Sequence, residues 1–282
     1  MLHRPLDVSD ADRRTLESDR ERLNETIDRA VSELLAEVPH GPLREQLELI
    51  AFTPNAALPK RTRRPKWELA FLVDRLANAS TMDDERRETV LQFSLCVGEY
   101  YDIFDDVVDD DVAEGARGTV VATWQVMFPL CTRLVHRLGD DAVDYWTDRA
   151  MGLMEAPLGG IRTDPTLERY RAIVDRQAVL FGALTGLCAV VGDHPATVER
   201  AEQLGRAYFR FEQFLLDGEQ YASGETGGWN LFALADAADA LEYVTDCRRD
   251  YERACRSLPD ADRRALRPLV GVDLDRWAER EL

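Results

Sequence analysis

The chain has 282 residues, 45% of them hydrophobic, and a net charge of −18 from 53 acidic and 35 basic side chains. That length suits one large domain or two small ones, with apolar residues enough for a sizeable core, and the charge argues against nucleic acid or an anionic membrane as partner. Lys60 and Lys66 are the only lysines; an acidic, lysine-poor chain points to a halophilic protein, whose dense carboxylates keep its surface hydrated.

The opening Met1-Leu-His-Arg-Pro-Leu-Asp7 is too polar for a signal peptide. Residues Ser9–Val38 form a charged amphipathic helix with Ile27, Val31, Leu34 and Leu35 on one face. The pattern resumes over Pro42–Phe52 after a Pro-His-Gly-Pro break. Thr53–Arg64 is a loop rich in proline and basic residues, and Pro65 opens a helix that runs to about Ala79. Thr81 caps the next, long helix, whose first turn holds Asp83, Asp84 and Glu85. Further helices are expected at Thr119–Leu138, Asp141–Glu155, Pro165–Val191 and Pro195–Tyr221. Gly224–Asn230 is a glycine-rich loop, and shorter helices follow at Leu231–Ala240, Glu242–Ser257, Asp260–Leu266 and Leu274–Glu281. No alternating strand pattern occurs, so residues 1–282 are expected to form a single all-α domain. The longest uncharged runs, Gly118–Thr132 and Ala178–Gly192, fall short of the roughly 18 residues a membrane span needs, and are expected to be buried helices rather than a transmembrane segment. Cys96, Cys131, Cys188, Cys247 and Cys255 are scattered, without a CxxC, as in a cytoplasmic protein with reduced core thiols.

The stretch Glu99-Tyr-Tyr-Asp-Ile-Phe-Asp-Asp-Val-Val-Asp-Asp-Asp111 sets carboxylates into an apolar segment. On a helix, Asp105 and Asp109 are i and i+4, as are Asp102 and Asp106, so all four share one side. Carboxylates this close repel one another, and a divalent cation would neutralise them. Mg²⁺ favours a few carboxylates together with substrate phosphate oxygens, so these residues point to a phosphorylated substrate held through Mg²⁺. His3, His40, His136 and His194 join no serine–aspartate constellation.

Asp105-Asp106-Val107-Val108-Asp109 resembles the first aspartate-rich motif, DDxxD, of the trans-isoprenyl diphosphate synthases. Other segments resemble that family in its own order. Pro59-Lys60-Arg61-Thr-Arg63-Arg64-Pro65 is similar to GGKRxRP. Arg117-Gly118-Thr119 is similar to the end of RRGxPT, Arg176-Gln177-Ala-Val-Leu-Phe181 to KTAxLF, and Gly205-Arg-Ala-Tyr208 to GxAFQ. Gly224–Leu231 parallels GKPxGxDL. The resemblance spans about residues 55–235. It implies an isoprenoid-synthase-type bundle of about ten helices around a central apolar cavity, with Mg²⁺ as cofactor. It also implies ionisation of an allylic diphosphate, attack on the resulting cation by isopentenyl diphosphate, and loss of a proton. The residues carried over are Asp105, Asp106 and Asp109 as metal ligands; Lys60, Arg61 and Arg64 as a clamp on the second diphosphate; and Arg117, Arg176 and Gln177 at the diphosphates. Tyr100 and Tyr101 would close the pocket floor one turn below the metal and limit the product to about C15 to C20. The family's usual homodimer, or a heterodimer with a homologous synthase, is the implied assembly.

The second aspartate motif of that family departs here. It reads Glu212-Gln213-Phe-Leu-Leu216, followed by Asp217. A neutral amide cannot replace a carboxylate ligand, which leaves Glu212 and Asp217 as the metal-ligand candidates of this helix. Three readings stay open: an active prenyl diphosphate synthase; a class I terpene synthase using Asp217, Tyr221 and Glu225 at i, i+4 and i+8; and a non-catalytic partner of an active synthase.

Overall fold

The structure is a computed structural model that describes residues 4–59, 67–108, 110–153, 164–192, 198–224, 228–256, 258 and 260–282. Among these residues everything regular is helical, apart from one isolated antiparallel bridge between Leu6 and Val272. By internal contacts the chain separates into two compact units. One comprises Arg20–Trp146, the other Met1–Asp19 with Thr147–Leu282. Helix α1 (Asp10–Ala36) begins in the second and continues into the first.

The Arg20–Trp146 unit is built round α4 (Asp84–Val108), whose residues Thr89–Glu99 are buried without interruption. Burial on every face marks a central helix. It packs against α3 (Trp67–Ala79) and α5 (Arg117–Arg137). The cap of α4 is Asp83, whose Oδ1 accepts from Arg86 N at 2.8 Å, and not Thr81. Asp83 is nearer the first helical residue and can reach an orphan N–H of the first turn. The expected helix over Pro42–Phe52 is instead α2 (Gly41–Leu47) running into a π-turn, Glu48–Phe52. The unit ends within α6 (Asp140–Leu153), whose residue Trp146 meets Phe93 edge-on at 5.0 Å. Cys96 and Cys131 are free, buried thiols with sulfurs 3.1 Å apart across α4 and α5.

The other unit centres on the consecutive helices α7 (Leu167–Val191) and α8 (Val198–Ser223), which pack against each other. Glycine sets their approach. A Cβ on Gly205 would lie 2.4 Å from Phe181 O and 2.3 Å from Thr185 Oγ1. Thr185, fully buried, bonds to Ala201 O of α8 at 2.7 Å. Helix α7 is long and apolar enough to cross a membrane by length and composition, with 67% of its most apolar window buried. The expected helix Leu231–Ala240 breaks at Ala235 into α9 (Leu231–Leu234) and α10 (Ala237–Arg256), because Asp236 caps α10 through Asp239 N at 3.0 Å. Helix α11 (Asp260–Leu266), a 3₁₀ turn (Arg267–Val270) and α12 (Leu274–Glu281) complete it. Helix α12 drives Trp277 onto Gly218 of α8, where a Cβ would sit 2.5 Å from the indole.

Candidate functional site: the aspartate end of α4 and the carboxylates of α8

Asp102, Asp105 and Asp106 occupy the last two turns of α4, each half-buried, and no basic residue stands in the last turn. A helix C-terminus already carries partial negative charge, so acids gathered there are doubly disfavoured unless a cation joins them. The donors are all carboxylate oxygens, a set that suits Mg²⁺. Asp109 lies outside the described residues, and among those described no three His, Cys, Asp or Glu side chains converge as a metal cluster.

The helix end is tightly organised. Asp110 adopts a left-handed conformation (φ 61°), and Asp111 N–H donates to Asp106 C=O at 2.9 Å, the six-to-one bond of a Schellman ending. Arg117, at the start of α5, reaches back to it. Its Nη1 donates to Asp110 Oδ1 at 2.7 Å and its Nη2 to Val107 O, one of the last carbonyls of the helix, at 3.0 Å. Arg117 thus holds the end of the aspartate helix. The loop after it is pinned by Ala113 N–H to Ala57 O at 2.9 Å. Asn55 folds that partner loop with bonds from Ala57 N and Leu58 N to its Oδ1. This is the chain that leads into Lys60, Arg61 and Arg64, which themselves lie outside the described residues.

Beneath the carboxylates is an aromatic group. Tyr100 meets Tyr101 edge-on at 5.4 Å and Trp124 of α5 at 5.0 Å, and Phe104 stacks on Trp124 at 5.3 Å. Burial raises both tyrosine hydroxyls above their ordinary pKa, so they stay neutral. Trp124 is the member of this group that sequence reasoning misses. The signal was present: aromatics at 100 and 104 are i and i+4 on one helix face and call for an aromatic partner. Trp124 Nε1 is buried with no hydrogen-bond partner among the described residues.

The carboxylates of α8 are differently placed. Asp217 is 1% exposed, and each of its oxygens is engaged. Oδ2 accepts from Tyr170 OH at 2.5 Å and Leu231 N at 2.8 Å, and Oδ1 from Gln213 Nε2 at 3.0 Å. Burial pushes Asp217 up to about 6, against the lowering effect of these three donors. Asn230 caps α9 and donates to Asp217 O at 2.8 Å, so the end of the glycine-rich loop is fastened to α8. Glu212 is also buried, and its Oε2 accepts from Arg4 Nη1 at 2.6 Å. Asp217 thus already accepts from three protein donors and Glu212 is already paired with a cation, so either would have to give up an existing partner to serve as the expected metal ligand. Arg176 stands exposed on α7 with half-buried Gln177 beside it. Tyr221 is largely exposed near the end of α8, and Glu225 lies outside the described residues.

Sequence comparison finds no matching family model and no matching curated protein. Structural comparison does find relatives of the fold. The chain is similar to a decaprenyl diphosphate synthase from Rhodobacter capsulatus, with a TM-score of 0.70 and 17% identity over 94% of this chain and 99% of that one. It is similar to a geranylgeranyl pyrophosphate synthetase from Pyrococcus horikoshii Ot3, with a TM-score of 0.69 and 16% identity over 91% and 98%. A polyprenyl synthase from Caulobacter crescentus CB15, complexed with calcium and isoprenyl diphosphate, matches with a TM-score of 0.66 and 17% identity over 95% and 97%. The helix order, the carboxylate-tipped α4 and these matches together give the chain the all-α fold of the isoprenyl diphosphate synthases.

Proposed function

We propose that the chain is a cytoplasmic, Mg²⁺-dependent prenyltransferase that joins an allylic diphosphate to isopentenyl diphosphate, giving a short-chain prenyl diphosphate. The observation that carries this reading is the end of α4. Asp105 and Asp106 cluster where the helix dipole is negative, on a terminus organised by Asp110 and Arg117. Asp105, Asp106 and Asp109 would hold Mg²⁺, which when bound supplies the positive charge that a departing diphosphate requires. Arg117 orients their helix end. Lys60, Arg61 and Arg64 would hold the second diphosphate by charge-assisted bonds, with Arg176 and Gln177 assisting at the first. Tyr100, Tyr101, Phe104 and Trp124 offer neutral ring faces that exclude water and favour a carbocation. The assembly proposed is a homodimer, or a heterodimer with a homologous synthase.

A second reading, a non-catalytic partner subunit, is favoured by the ion pair between Arg4 and Glu212. Purified protein incubated with Mg²⁺ and an allylic diphosphate at high salt, with and without isopentenyl diphosphate, separates the possibilities. A longer diphosphate supports the transferase. A hydrocarbon or alcohol formed without isopentenyl diphosphate indicates a cyclase instead. No turnover, together with stimulation of an added homologous synthase, indicates the partner subunit. In an active protein, Asp105→Ala and Asp109→Ala should each lower turnover by at least about 10³-fold; wild-type rates would refute the site.

A further inference from the structure

Glu212 and Glu219 stand seven residues apart on α8, hence on one face two turns from each other. Buried carboxylates are costly unless neutralised, and here the neutraliser comes from far away in sequence. The Arg4 side chain, 4% exposed, donates from Nη1 to Glu212 Oε2 at 2.6 Å. It also donates from Nε to Glu219 Oε1 at 2.6 Å and from Nη2 to Glu219 Oε2 at 3.3 Å. The planar guanidinium forks onto one carboxylate and reaches the other, a geometry lysine could not reproduce. Burial works against its charge, but the two glutamates outweigh burial and hold Arg4 protonated above its ordinary range.

The segment carrying Arg4 is itself fastened in place. Pro5 O accepts from Asp273 N at 2.8 Å, Asp7 N donates to Gly271 O at 2.8 Å, and Leu6 bridges Val272. Gly271 is required by the closeness of this strap, since a Cβ there would lie 2.3 Å from Val8 Cγ1. Arg13 Nη2 adds a bond to Leu6 O at 3.2 Å. One oxygen is left over: Glu212 Oε1 is buried, on a side chain only 9% exposed, and has no hydrogen-bond partner among the described residues.

We propose that Arg4 is the resident cation of the Glu212–Glu219 pair on α8. It stands where the sequence led us to expect a metal ion, so this cluster takes no divalent metal while Arg4 is present and becomes a metal site when Arg4 is removed. The inference deepens the proposed function by confining divalent metal to the aspartate end of α4.

The α8 cluster can be tested alone in a full-length protein carrying Asp105→Asn and Asp109→Asn, so the outcome does not depend on whether the α4 site works. Free Mn²⁺ is followed by electron paramagnetic resonance during titration. With Arg4 present, no Mn²⁺ should be sequestered, and adding Glu212→Gln should change nothing. With Arg4→Met added, about one ion per chain should be taken up, with a matching rise in melting temperature, and Glu212→Gln should abolish both. Glu212-dependent binding with Arg4 in place would overturn the proposal. So would a folded Arg4→Met protein that gains no Mn²⁺ site. If Arg4→Met does not fold, the Glu212→Gln comparison in the Arg4-bearing protein decides by itself.

Discussion

Among the described residues Asp217 pairs with neutral donors, and that choice has a measurable signature. Its carboxyl is raised from an ordinary 3.8 to about 6, chiefly by burial. Between those values the folded protein keeps a proton that the unfolded chain has released. Its contribution to stability is therefore fully present below about pH 4 and lost as pH rises through 6, a change of about 3 kcal/mol for two pKa units. Urea melts of Asp217→Asn should show a correspondingly flatter stability between pH 4 and 7 than wild type; identical slopes would rule out this role. At the other carboxylate site, Tyr100→Ala combined with Tyr101→Ala opens the floor beside Trp124 and should lengthen the product of an active enzyme, read by chromatography of the reaction products. The α4 carboxylates could be identified from sequence because they lie within one short run, where local spacing fixes their shared face. The partner of Glu212 could not, because Arg4 is 208 residues away and nothing local distinguishes it from the other arginines. Asp217 looked like a ligand for the same reason: its three donors sit on Tyr170, Gln213 and Leu231, two of them far along the chain.

Helix identity followed from periodicity, while helix ends followed from single side chains. Most expected helices lie within a few residues of those observed. Among the exceptions, Asp83 in place of Thr81 and the break at Ala235 arise where one aspartate side chain caps a helix start, and Pro42–Phe52 departs by ending in a π-turn. The α7–α8 contact rests on an absent side chain. Gly205→Ala would force a methyl against Phe181 O and Thr185 Oγ1 and should cost at least about 2 kcal/mol. That predicts a melting temperature lower by roughly 3 °C or more for a chain of this size. Gly152→Ala on α6 meets nothing within 4 Å and should leave the melting temperature equal or higher, by up to about 1 kcal/mol of stability. Arg117→Ala removes the bonds to Asp110 and Val107 O and should loosen the end of α4. Faster amide exchange at residues 107–111, with the rest of the helix unchanged, would show it; unaltered exchange would not fit.

For the molecule as a whole, a net charge of −18 means that the folded state compresses like charges. Added salt screens them, with a Debye length of about 3 Å at 1 M against about 10 Å at 0.1 M. Thermal melts in rising KCl should show increasing stability toward molar concentrations, and full stability in dilute buffer would count against halophilic adaptation. Order of synthesis matters too. The Arg20–Trp146 unit is continuous in sequence, whereas the other unit pairs Arg4–Val8 with Gly271–Asp273. A ribosome therefore makes one half of that pairing some 260 residues before the other. At about 5–20 residues per second the strap waits for tens of seconds or less, while the first unit can already fold. Docking of the strap is thus a late event of folding, and until it occurs the acidic face of α8 is open to whatever cation is nearby.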